Sequence, residues 1–171
     1  MLHSSIRTVI LRELGAVRRS VEAYRDDASL WSERPGLPNC AGTLVLHITG
    51  NIRHYLGAVL GGSGFQRDRP AEFARRGVSR TELLAEVDAA IVAVETTFTL
   101  RGESLDAQPS PAYPERVAGR MIATDDFLVH MATHLAYHLG QLDYHRRVVT
   151  GDALGIAALS PHELPEHRDG A

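Results

Sequence analysis

Residues 124–151, TDDFLVHMATHLAYHLGQLDYHRRVVTG, decide how this chain is read. At about 100° per residue, Phe127, Met131 and Leu142 fall within about 40° of His138, and Leu135 about 60° away. That is one apolar helical face with a histidine inside it. His134 comes four residues earlier, about 40° to one side, so the two imidazoles point the same way. Thr124 is placed to cap the helix, and Asp125 and Asp126 put negative charge at the positive end of its dipole. Gly151 stands just past an expected end near Val149.

Three more segments carry the same period, and none reads as a strand. Ile6, Ile10, Leu14, Val17 and Val21 make a stripe over about Ser4 to Tyr24. Leu44, Ile48, Ile52, Tyr55 and Val59 make another over about Cys40 to Leu60, with Asn39 as its expected cap and Gly61-Gly62 as its end. Leu83, Val87, Ile91 and Val94 make a third to about Thr99, opened by the capping box Ser79-Arg-Thr-Glu82. Residues 25–39, 61–78 and 101–120 read as loops; the last holds Pro109, Pro111 and Pro114. Four amphipathic helices joined by long loops predict an all-α four-helix bundle. The expected domain covers residues 1–151, and 152–171 forms a C-terminal tail with little periodicity.

Bulk properties narrow the function classes. With 171 residues and 44% hydrophobic content, one domain can bury a core without disulfide staples. A net charge of −3 argues against a nucleic-acid binder, which needs a basic surface for phosphates. Arg67, Arg69, Arg75, Arg76 and Arg80 cluster locally; a solvated loop and helix end is favoured over an anion site. Cys40 is the only cysteine, so neither an internal disulfide nor a cysteine zinc site can form. No apolar run reaches the roughly 18–20 residues that span a bilayer, and the charged N-terminus carries no cleavable signal. These features predict a cytoplasmic protein with no membrane and no nucleic-acid partner.

The histidines carry the chemistry. His47 borders the apolar stripe of the second helix, about 60° from Leu44, so its imidazole can meet those of His134 and His138 if the helices pack. A buried imidazole needs partners for both nitrogens. One shared metal satisfies three at once and leaves each outer nitrogen for a hydrogen bond. A lone histidine in an apolar face reads as a hydrogen-bonded core residue, and a pair reads either way. His47 with His134 and His138 tips the balance towards a three-histidine metal site. The residues three before these histidines are Leu44, Met131 and Leu135, which excludes the Glu-x-x-His pairs of di-iron bundles. No zincin motif, nucleophile elbow or phosphate-binding loop occurs. His54 reads as solvated or capping, His130 as flanking His134, and His3, His162 and His167 as bystanders in the termini. Cys40 reads as a small residue at a helix start.

LVLHITGNIRHYLGAVLGG (44–62), HMATHLAYHLGQ (130–141) and RDRPAEF (67–73) together resemble the DinB/YfiT-like superfamily of bacterial metal-binding four-helix bundles. The resemblance spans about residues 4–150. It implies an up-down-down-up order of the helices with a long crossover between the second and third, and often a homodimer. It implies one divalent metal on His47, His134 and His138, the same three that the geometry selects. Gly140 would then admit a neighbouring helix, and Gln141 would support a ligand from outside. Some members are transferases or isomerases that use a low-molecular-weight thiol such as mycothiol or bacillithiol.

The leading expectation is a metal-dependent enzyme acting on a small molecule, a thiol-dependent transferase or a hydrolase. Three histidines leave a coordination position for water or substrate. Zinc and nickel head the metals, with iron and manganese behind them; imidazole nitrogen does not choose among such ions. No catalytic base is assigned. Asn51, Tyr55, Tyr137 and Gln141 are the cofactor-binding candidates, with His54 beside them. The rivals are a non-enzymatic metal-binding or stress-associated bundle, and a bundle whose buried histidines hold no metal.

Overall fold

The computed structural model describes residues 2–106, 112–156 and 161–164. Six α-helices occur among them: α1 (Leu2–Glu22), α2 (Asp27–Leu30), α3 (Ala41–Ile52), α4 (Arg69–Ala74), α5 (Arg80–Asp106) and α6 (Thr124–Thr150). A π-helical segment, Arg53–Leu60, continues α3, and a 3₁₀ turn covers Pro161–Glu163. Among the described residues only isolated β-bridges occur, no strand. Pro109, Pro111 and His167 lie outside the described residues.

The four long helices surround one core. α1 and α3 each pack against both α5 and α6. Ile10, Leu14 and Val17 of α1 meet Leu44, Ile48 and Ile52 of α3, Leu83, Val87 and Val94 of α5, and Met131, Leu135 and Leu142 of α6, all buried in one cluster. These are the stripes that the periodicity marks, and burying them supplies the main drive to fold. Among the described residues no helix is long and apolar enough to cross a membrane.

Several boundaries differ from expectation for identifiable reasons. α5 runs seven residues past Thr99, because Leu105 remains on its buried side and that burial outweighs Gly102. The capping box does form: Ser79 N–H donates to Glu82 Oε2 at 3.0 Å, and Glu82 N–H to Ser79 Oγ at 3.2 Å. Asn39 does not cap α3; Cys40 takes that position with no side-chain cap bond. Ala123, not Thr124, is the cap of α6, while Gly151 ends it with φ 74°. α2 and α4 lie inside expected loops. Both are too short to show a period, and each is fixed by an aspartate cap, Asp26 and Asp68.

The π-helical stretch is the main irregularity. Its backbone bonds run from residue i+5, as from Gly61 N–H to Leu56 O at 2.9 Å, and outside hydroxyls add a bond to two of its carbonyls. Thr97 Oγ1 of α5 donates to Leu56 O at 2.9 Å, and the Tyr113 hydroxyl donates to Tyr55 O.

Two polar anchors close the ends of the helical core. His3 is buried and meets Asp125 Oδ1 at 2.5 Å, so it ties α1 to the start of α6 rather than standing by. Arg146, 1% exposed, pairs with Asp143 and Asp152 and donates to Leu154 O. The chain after α6 is thereby folded back onto it as far as the described residues reach; Arg19 holds Ile156 O from α1.

Candidate metal centre

His47 lies on α3, and His134 and His138 lie one turn apart on α6. Because α3 packs on α6, the three imidazoles meet: one nitrogen from each falls within 4.8 Å of the others. His134 Nε2 and His138 Nε2 are 3.1 Å apart. The His47 ring stands edge-on to both, with centroids 5.4 Å from His134 and 5.0 Å from His138. His47 is buried, and the other two are half-buried.

The outward nitrogens of two rings are held in place. His138 Nδ1–H donates to Gln141 Oε1 at 2.8 Å, and His47 Nδ1–H to Glu72 Oε2 at 3.0 Å. With those donations made, each ring keeps its Nε2 lone pair as the free ligand atom. Glu72 is gripped in turn by Arg67, whose Nε donates to Oε1 at 2.7 Å and whose terminal nitrogen donates to Oε2 at 2.9 Å. Phe73, the next residue of α4, packs its ring 5.0 Å from His47.

The electrostatics disfavour the protonated forms of His134 and His138. Burial lowers the His134 pKa to about 4, and the neighbouring His138, His47, His130 and Arg67 add to the effect. Burial also lowers His138, against an opposing hydrogen bond from Gln141. For Glu72, burial would raise the pKa, but the hydrogen bonds from His47 and Arg67 outweigh it and hold the carboxyl below its ordinary value. The centre therefore offers three clustered imidazole nitrogens beside a balanced Glu72–Arg67 pair.

A family model described as Mycothiol-S-transferase matches residues 5–151. The chain belongs to the mycothiol S-transferase family. That family is part of the DinB/YfiT-like superfamily. Searches of the curated proteins and of the solved structures return no match. Family membership speaks for a metal-dependent thiol S-transferase of the DinB-like group.

The donor set of this mycothiol S-transferase family member fits a divalent transition metal. Neutral imidazole nitrogens suit such ions, and a carboxylate or amide oxygen behind the ligand is the usual support.

The remaining candidates fall at different distances from the histidines. Gln141 touches the centre through His138, and the Tyr137 ring lies 5.3 Å from His138, edge-on, with most of its surface exposed. Asn51 is buried next to His47's turn of α3, and its Oδ1 has no hydrogen-bond partner among the described residues. Tyr55 is drawn away, into a ring cluster with His54, Tyr113 and Phe127. His54 faces Glu115 at 3.6 Å. His130 stacks at 5.8 Å from His134. Cys40 is buried beside Thr43.

Glu72 and Arg67 were not among the sequence candidates. Their signal lay in RDRPAEF, where Asp68 caps a turn that Pro70 helps start; only the folded chain ties that turn to His47. The arginine cluster disperses: Arg67 serves Glu72, Arg80 donates to Tyr24 O, and Arg76 holds backbone carbonyls of its own loop. Among the described residues no helix packs on Gly140, where a Cβ would meet nothing within 4 Å.

Proposed function

We propose that this chain is a metal-dependent S-transferase. It joins a low-molecular-weight thiol, mycothiol or bacillithiol, to a small electrophile at the His47–His134–His138 centre. The observation that carries this reading is the convergence of three imidazoles, two with their outer nitrogens fixed. Family membership favours a transferase over a hydrolase.

His47, His134 and His138 would hold the ion. When bound, a divalent cation supplies Lewis acidity that favours the thiolate form of a thiol at neutral pH. The chain's own contribution is to aim the ligands and to set the charge. Glu72 fixes the His47 ring and Gln141 the His138 ring, so neither need be reoriented during turnover. Arg67 cancels the Glu72 charge, so that pair sets no net negative charge against an anionic sulfur. Phe73 keeps water from one side of His47. The domain covering 1–151, the tail 152–171, an up-down-down-up helix order and a homodimer in the cytoplasm belong to the same reading.

The test is to load the purified protein with zinc or nickel and supply mycothiol or bacillithiol with a fluorogenic electrophile. Metal-dependent conjugation, lost in His134→Ala together with bound metal, supports the transferase. Stoichiometric metal with no conjugation across both thiols would leave a metal-binding bundle instead.

A further inference from the structure

An open cavity of about 410 Å³ lies between the loop before α3 and the C-terminal half of α6. Leu37, Pro38, Leu44, Tyr137, Gln141 and Tyr144 form most of its wall. It occupies the next turn of the groove that holds the histidines. Leu44 precedes His47 by three residues on α3, and Gln141 follows His138 by three on α6, about 5 Å along each helix. Two wall residues also touch the centre: Gln141 through its bond to His138, and Tyr137 through its ring edge.

The lining indicates what it accepts. No charged side chain except His145 could arise in it, and both His145 nitrogens are taken, by the Tyr24 hydroxyl and Ser32 O, each at 2.8 Å. Gln141 Oε1 is engaged with His138. The Asn39 and Gln141 amides and the two tyrosine hydroxyls are the remaining polar groups of the wall, and none of them carries a charge to hold an anionic thiol. Tyr137 and Tyr144 are 66% and 67% exposed, seven residues apart on the same side of α6, two large rings left in water. Such rings bind flat or alkyl groups well, with the hydroxyls facing solvent. Gly140 supplies floor without a side chain, since a Cβ there would project into open space.

We propose that this cavity seats the apolar, uncharged part of the electrophilic co-substrate, an aryl or alkyl group, and turns its reactive carbon towards the three histidines. The assignment rests on the S-transferase reading. In the step it serves, the thiolate sulfur forms a bond to the electrophilic carbon. The carbon–leaving-group bond breaks, the leaving group departs with that electron pair, and the thiol proton passes to solvent. No oxidant or reductant takes part.

Gly140→Leu is the probe, because leucine favours the helix more than glycine and its side chain would fill the cavity. Two electrophiles share one reactive group: 2-chloroacetamide and N-benzyl-2-chloroacetamide. In the metal-loaded enzyme the ratio of kcat/KM for the benzyl compound to that for the small one should fall at least tenfold in Gly140→Leu. Tyr144→Ala, which opens the wall instead, should lower the ratio through KM. Titration calorimetry with unreactive N-benzylacetamide checks the cavity without turnover, and binding should weaken at least tenfold in Gly140→Leu. An unchanged ratio with unchanged binding overturns the proposal. So does a wild-type dimer that Gly140→Leu converts to monomer, which would make this face an interface between copies. Absence of conjugation with both compounds would sink the S-transferase reading, while the calorimetry still decides the cavity.

Discussion

Gly50 and Glu72 are complementary in space: a Cβ on Gly50 would stand 2.2 Å from Glu72 Oε1. Gly50 is three residues beyond His47 on α3, so the bare backbone there is the notch through which the carboxylate reaches the imidazole. The notch and the α4 turn that fills it are separate segments of sequence with one purpose, to hold one ring.

Gly50→Ala should therefore displace Glu72 without harming α3, because alanine is the stronger helix former. Loss of such a supporting hydrogen bond typically lowers metal affinity about 10–100-fold. Competition against a chromogenic chelator measures it, with helix content by circular dichroism as the control. Wild-type affinity in Gly50→Ala would mean that Glu72 does not support the ligand.

Removing the carboxylate itself has a second consequence. Arg67 and Glu72 are both almost fully buried, so Glu72→Ala strands a guanidinium away from water. Breaking a buried pair from one side costs about 3–5 kcal/mol. Urea unfolding of the metal-free protein should register that loss, and Arg67→Met combined with Glu72→Leu should recover most of it. The double variant should still bind metal weakly, which separates the structural role of the pair from its effect on His47.

Tyr113 tests the π-helical segment. Its hydroxyl is the outside partner of Tyr55 O, and its ring packs 4.2 Å from Phe127. Tyr113→Phe keeps the ring and removes that one hydrogen bond, at about 0.5–1.5 kcal/mol. A urea midpoint equal to wild type would show that water replaces the hydroxyl.

The sequence made the long helices and the three histidines legible because both follow a 3.6-residue period, and angle on a wheel carries over directly to facing in the bundle. His134 and His138 could be read from one helix alone. His47 needed the assumption that α3 packs on α6, which its own apolar stripe supplied. Glu72, Arg67 and the hydroxyl of Tyr113 were not legible, since each acts on a group distant in sequence and sits in a segment too short to show a period. His3 was misplaced as a bystander for the same reason: its partner Asp125 is on the far side of the chain. The π-helical register after Ile52 moves the buried face by one residue: Leu56 and Leu60 are buried where the α-helical period marks Tyr55 and Val59, which are only partly buried.

His145 gives the last prediction, a dependence of stability on pH. Its Nε2–H donates to Ser32 O and its Nδ1 accepts from the Tyr24 hydroxyl, so the neutral ring satisfies both partners. Burial lowers its pKa below the ordinary 6.5, Arg34 adding to this and the bond to Ser32 opposing it. In the unfolded chain the ring takes up a proton near the ordinary value. As pH falls below about 6.5, the unfolded state therefore binds a proton that the folded state resists, and the fold loses stability until its own lower pKa is passed. Above about 6.5 both states are neutral and the contribution is fully present. His145→Gln removes the titration at the expense of some packing. Between pH 7.5 and 5.5 its Tm should fall less steeply than that of wild type, although it starts lower. Every other group is common to both proteins and cancels in the comparison. Parallel slopes would mean that acid reaches His145 as freely in the fold as outside it.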